Sequence, residues 1–150
     1  MKFKFKLASV KKHRALLKDL AQKDFELARL AVEKKLSEIN LMYQSIDQAR
    51  LRSDELQSRP EAQSAPLQQI EEFIVGQGLR IQKARLEVRE LMAVQEEKQE
   101  ILIEKVKDLK MLEKLEDKKR LEFKKELNKK NQIEADDMSI MRFERTKGSL

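Results

Sequence analysis

His13 is the sequence's single imidazole, and no cysteine accompanies it. One histidine and no thiol leave too few donors for a His- or Cys-based metal site and argue against a His-dependent nucleophilic triad. His13 reads instead as a partly exposed residue beside a helical seam. Asp136 and Asp137 are the only adjacent carboxylates near the carboxyl end, but neighbours on a helix point about 100° apart and cannot share one reacting group. The "GQG" at Gly76–Gly78 has neither the third glycine nor the Lys-Ser/Thr of a phosphate loop. It reads as two glycines inside a helix, costing roughly 1 kcal/mol each, at a soft spot or a place of close approach. No catalytic residue, metal ligand, cofactor or small-molecule ligand is assigned, and an enzyme is not expected.

The elements that could position any binding surface follow from composition. Charged residues make up 40% of the 150, hydrophobic residues another 40%, and there are three Gly, two Pro and no Trp. That bias belongs to long helices with a narrow apolar seam, and the fold class is all-α. No run approaches the ~18 uncharged apolar residues of a membrane span. The opening lysines interrupt every second apolar residue, so no signal-peptide core follows, and a cytoplasmic protein is expected.

Both prolines lie in "QSRPEAQSAPLQ", at Pro60 and Pro66. Proline ends the preceding helix and is tolerated in the first turn of the next. The expected architecture is an antiparallel coiled-coil hairpin over residues 1–144, with helix one at about 8–58, a turn at about 59–66 and a longer helix two at about 67–143. Residues 145–150 read as a disordered tail. Glu71 and Glu72 would complement the second helix's amino-terminal dipole.

In helix two, steps of four and three from Ile70 visit Ile74, Gln77, Ile81, Ala84, Val88, Leu91, Gln95, Lys98, Leu102, Lys105, Leu109, Leu112, Glu116, Lys119 and Phe123. A mostly apolar repeat of seven predicts a left-handed coiled coil, its polar interruptions fixing register. In helix one, Leu17, Ala21, Phe25, Ala28 and Val32 form one run and Leu36, Ile39, Tyr43 and Ile46 a second. A four-residue step joins them, and the seam ends at Leu56. Pairing about residue 63 leaves everything beyond Phe123 as an overhang. At ~1.5 Å per residue the arms would measure on the order of 75 and 100 Å.

Residues 1–18 carry seven Lys and Arg and no acid, and residues 105–130 carry eleven against six acids. Residues 19–104 hold twelve basic and seventeen acidic residues. Lys11, Lys12 and Arg14 stand in the opening turns of helix one, where cations oppose the dipole, so a use on an acidic partner is expected. Ahead of them "KFKFKL" alternates Lys with Phe3, Phe5 and Leu7, the signature of a half-buried strand, yet no second alternating run offers a sheet to join.

The order of these features resembles the FliJ family of bacterial flagellar type III export. Phe3, Phe5, Leu7, Val10 and Arg14 match its Phe-x-Phe-x-Leu opening and the following basic position. "EEFIVGQGLRIQ" is similar to its Phe-Ile segment early in helix two. Leu112, Glu113, Leu115 and Lys119 correspond to its Leu-Glu-x-Leu and basic pattern, and Asp137, Arg142 and Phe143 to its acidic then Arg-Phe ending.

The resemblance implies a stalk-like rod in a chemotactic, motile cell's export apparatus, working peripherally at the inner face of the cell membrane. It implies three partners: the hexameric flagellar export ATPase, whose ring assembly and activity it promotes, the linker of the membrane export-gate protein, and export chaperones. Phe3, Phe5, Leu7, Lys11, Lys12, Arg14, Lys118, Lys119 and Arg120 are then candidates for the ATPase contact. Phe73, Gln77, Arg80 and Ala84, at helical spacing, are candidates for the gate contact, with Gln77 and Arg80 departing from the family pattern. Three alternatives stay open: the stalk protein of a virulence secretion system, a generic structural coiled coil that dimerises through the seam beyond Phe123, and a basic coiled coil binding nucleic acid. The interleaved acids, absent stacking aromatics and absent binding motif argue against the last.

Overall fold

The computed structural model describes residues 1–59, 61 and 64–148. Two helices make up the architecture, α1 (Ala8–Gln57) and the longer α2 (Ser64–Gly148), and no strand occurs among the described residues. They form the expected antiparallel hairpin. Contacts group the chain into two units, Asp19–Ile103 and Met1–Lys18 with Glu104–Leu150.

Within Asp19–Ile103 the core is a cluster of Ile39, Ile46, Ile81, Ala84 and Val88, with Met42 and Ile74 packed against it. Pairing is antiparallel, Lys35 meeting Glu87, Tyr43 meeting Arg85 and Ser45 meeting Gln77. The α1 seam here runs Ala21, Phe25, Ala28, Val32, Lys35, Ile39, Met42, Ile46, Ala49, Ser53 and Leu56, all buried or half-buried, in unbroken steps of four and three. This corrects the expected four-residue step after Val32. Leu36 and Tyr43 are exposed, and Lys35 takes the seam position with its ammonium reaching out to Glu87 and Glu38. A lysine stem can cover apolar surface while its head stays hydrated, so the heptad continues through a charged residue.

In α2 every expected seam position from Ile70 to Phe123 is buried or half-buried except Lys119. Gln77 is the buried polar member. Its amide nitrogen donates to Ser45 Oγ at 2.9 Å, its oxygen accepts from Arg80 at 3.1 Å, and Ser45 donates on to the Met42 carbonyl at 2.7 Å. A satisfied polar group in the seam is tolerable, and it penalises any register that leaves it unpaired.

Gly76 and Gly78 lie inside α2 with no positive φ, and a Cβ on either would meet nothing within 4 Å. The close-approach reading is therefore set aside.

In the other unit, Leu109 and Leu112 are buried on α2, and Lys11, Arg14, Ala15, Leu17 and Lys18 are half-buried on α1. Residues 1–5 have no regular structure and 6–7 form a turn, the Ala8 N–H donating to the Phe5 carbonyl at 3.2 Å and the Lys11 N–H to that of Leu7 at 2.9 Å. From residue 128 to 148 every α2 residue is exposed.

The bounds of α2 differ from expectation at both ends. α2 begins at Ser64, with Pro66 in its first turn, so Glu71 and Glu72 stand two turns in, beyond the reach of the terminal dipole. The helix also continues past Phe143 through residues 145–148. Arg145 and Lys147 occupy its last turn, where cations suit the carboxyl-terminal dipole. The expected turn at Pro60, with Ala62 and Gln63, and the tail at 149–150 lie outside the described residues.

Candidate partner-binding surfaces

Met1–Lys18 with Glu104–Leu150 carry twenty-one Lys and Arg against eleven acids, net +10, and Asp19–Ile103 carry twelve against sixteen, net −4. The sequence therefore places its positive charge in one structural unit. Among the described residues no His/Cys/Asp/Glu group could hold a metal ion, and no helix is long and apolar enough to cross a membrane.

The lead-in finds its partner in α2. Phe3 packs on Phe123, ring centroids 5.7 Å apart and planes tilted by 54°, and the Arg120 guanidinium lies 5.4 Å from the Phe3 centroid. Phe3 and Phe5 are half-buried, whereas Lys2, Lys4 and Lys6 are exposed. The period of two is real, but a helix rather than a sheet covers the apolar side. Phe3, Phe5, Leu7, Leu115, Lys119 and Phe123 contribute to the lining of a groove of about 640 Å³. Leu7 is 38% exposed and remains open to a partner.

The basic candidates divide by what they already hold. Lys11 donates to Glu116, and Arg14 reaches the Asp108 carbonyl at 3.4 Å, so both face inward across the helix pair. The hydrogen bond from Lys11 holds the Glu116 carboxyl below its ordinary value against the opposing effect of burial, and the same bond raises Lys11. Lys119 makes an i,i+3 ion pair with Glu122 at 3.5 Å, and Arg120 an i,i+4 pair with Glu116 at 3.4 Å. Exposed pairs of this kind are worth about 0–1 kcal/mol, so these heads can re-pair with a partner. Lys12 and Lys118 are exposed.

The second candidate set is split by burial. Gln77 and Ala84 are turned into the seam at 9% and 3% exposure, while Phe73 and Arg80 are exposed. The four share a helix face, and its two buried members belong to the intramolecular core. Phe73 joins Leu56, Pro66 and Ile70 in lining a hollow of about 510 Å³.

Sequence reasoning did not find the cross-helix ion pairs. In Lys35–Glu87 the hydrogen bond holds Glu87 low and Lys35 high, as in Lys11–Glu116. Arg85 likewise donates to the Tyr43 hydroxyl, its guanidinium 5.7 Å from the ring centroid. The only local signal was a lysine falling on heptad phase.

No curated protein and no solved structure gives a significant match to the chain. The family model described as the flagellar FliJ protein matches residues 3–148. That span takes in both helices and the lead-in, and the chain belongs to the flagellar FliJ family, whose members are flagellar export-related proteins.

Proposed function

We propose that this chain is a cytoplasmic, non-enzymatic component of the flagellar export apparatus that acts as a central-stalk-like helical pair. In this reading it promotes ring assembly and activity of the hexameric export ATPase. It further contacts the linker of the membrane export gate and assists export chaperones. The observation that carries the reading is the concentration of net +10 in the unit holding Phe3, Phe5 and Leu7, within a chain of the FliJ family.

The roles follow from what each side chain is already doing. Lys12, Lys118, Lys119 and Arg120 present the charge that steers an acidic ring surface to this unit. Leu7 supplies exposed apolar contact, and Phe3 and Phe5 shape the groove behind it. Lys11 and Arg14 act one step back, fixing α1 against α2. For the gate linker, Phe73 and Arg80 are the contacting residues, and Gln77 and Ala84 set their position from the seam.

The test is ATP hydrolysis by the partner flagellar ATPase, with its ring assembly, as the chain is titrated in. Stimulation saturating near one chain per ring, and weakened by salt of several hundred millimolar, is the expected result. Absence of stimulation alongside tight, salt-sensitive binding to DNA or RNA would replace this reading with the nucleic-acid one.

A further inference from the structure

The inner seam of α1 accounts for one helix face, and a second repeat of seven runs along the opposite one. Leu20, Leu27, Leu30, Leu41 and Leu51 are separated by sums of alternating three- and four-residue steps, and they are 49 to 66% exposed. The intervening positions on this line are Lys23, Lys34, Ser37, Gln44 and Gln48. Scattered surface leucines need no explanation, but leucines holding heptad phase for this length make an unpartnered coiled-coil seam.

Charge decides what fits it. One flank of the leucine line is Asp19, Glu26, Glu33, Asn40, Asp47 and Asp54, seven residues apart throughout and acidic at every position but Asn40. Arg29 pairs with Glu26 at 2.9 Å and Glu33 at 2.5 Å, exposed i,i+3 and i,i+4 contacts that a partner's cation can displace. A second copy is a poor occupant. An antiparallel copy that sets Leu30 on Leu41 and Leu20 on Leu51 brings Glu26 beside Asp47 and Asp19 beside Asp54. A parallel copy brings Asp19 beside Asp24 and Glu33 beside Glu38, two repulsive pairs within α1 against one attractive one, Asp47 beside Arg52. Like charges at flanking positions select against both arrangements.

We infer that the outer face of α1 within Asp19–Ile103 is a docking seam for one amphipathic helix of another protein, with aliphatic seam residues flanked by Lys or Arg. The helix adds as a third strand alongside α1, its leucines between those of the chain and its cations on the acidic column. This surface is distinct from the basic unit and does not depend on the ATPase reading.

The probe is a labelled synthetic peptide of about four heptads with leucine in the seam and lysine on both flanks, its control carrying glutamate flanks. Fluorescence anisotropy against the full chain should give the lysine peptide at least about tenfold tighter binding at low salt. The Leu27→Gln/Leu30→Gln variant should lose about tenfold or more in affinity with circular dichroism and melting unchanged, since both side chains are exposed. Glu33→Gln/Asp47→Asn should narrow the gap between the two peptides. Equal binding of both peptides, or a leucine variant that binds like the parent, overturns the inference. So does sedimentation showing copies of the chain pairing through this face.

Discussion

Replacing Gly76 and Gly78 by alanine tests the description of α2 at a point where physics makes an unambiguous demand. Both residues sit in the helix interior, neither has positive φ, and a Cβ at either position meets nothing within 4 Å. The substitution therefore removes no contact and forces no strain. It acts through the unfolded chain, where glycine has more conformations to lose, and through helix propensity. Each change should stabilise the protein by about 1 kcal/mol, and the pair by about 2 kcal/mol if they add.

For a chain of this size that pair should raise the melting temperature by about 4–8 °C. Thermal melts followed at 222 nm, with urea titrations as the independent measure, give both values from the same samples. Additivity is informative because Gln77 lies between the two sites and is held by Ser45 and Arg80. A doubly substituted chain no more stable than the parent would refute the argument, because it would mean that this part of α2 is not continuous helix in solution. If the doubly substituted protein is stabilised yet loses ATPase stimulation, the soft segment is functional.

Three further outcomes follow from the same geometry. Lys35→Met should stabilise the protein modestly in urea titrations, the gain from a fully apolar side chain at a seam position exceeding the loss of the solvent-exposed pairs with Glu87 and Glu38. Unchanged stability would mean the lysine stem already covers that surface as well as methionine does. Acid should weaken the helix pairing: Glu87 and Glu116 have folded values below their ordinary ones, so their contribution is present above the unfolded carboxylate value and is lost as pH falls through the depressed one. Lys35 and Lys11 are raised, so theirs is present below the usual lysine value and is lost as pH climbs through the raised one. A melting temperature flat from neutral pH down to about 2, well below the ordinary carboxylate range, would contradict this pairing. Phe3→Ala removes the ring packed on Phe123 and beneath Arg120, an aromatic pair worth about 0.5–1.5 kcal/mol beyond area, so amide exchange should accelerate locally in α2 near Phe123. Unaltered exchange there would mean the lead-in is not docked.

How much of this was legible in the sequence depends on whether a feature is local. The α2 seam could be read directly because its heptads are mostly apolar, and all but Lys119 of the expected positions point inward. The α1 seam was misread at two places, where Tyr43 looked the better candidate than Met42 and Leu36 the better candidate than Lys35. Residue type misled at Lys35 because the decisive partner, Glu87, lies on the other helix. The lead-in shows the same limit. Its alternation correctly divided Phe3 and Phe5 from the lysines, but only tertiary structure says that Phe3 packs on Phe123. Among the candidate contacts, spacing placed Phe73, Gln77, Arg80 and Ala84 on one face without saying that the core takes Gln77 and Ala84 and leaves Phe73 and Arg80 exposed. Residues 145–148 read as frayed because they lack a seam, though the cations in that last turn favour helix.

The two units differ in how many charged residues their helix pairing contains, and this bears on any salt experiment. Asp19–Ile103 relies on Ile39, Ile46, Ile81, Ala84 and Val88, whose burial presents no charge for salt to screen. In Met1–Lys18 with Glu104–Leu150, Leu109 and Leu112 are buried and Phe3 packs on Phe123, but the half-buried α1 residues include Lys11, Arg14 and Lys18 beside Ala15 and Leu17, with Lys11 paired to Glu116. Exposed charge pairs weaken as the Debye length shrinks to about 3 Å at 1 M salt. Salt should therefore loosen this unit's own pairing as well as any contact between its cations and an acidic ring. A fall in ATPase stimulation with salt has two sources, and amide exchange in residues 8–18 separates them. Protection that survives at the salt concentration where stimulation is lost assigns the loss to the partner contact. Protection lost in step with stimulation makes the docked α1 segment itself the element that salt removes.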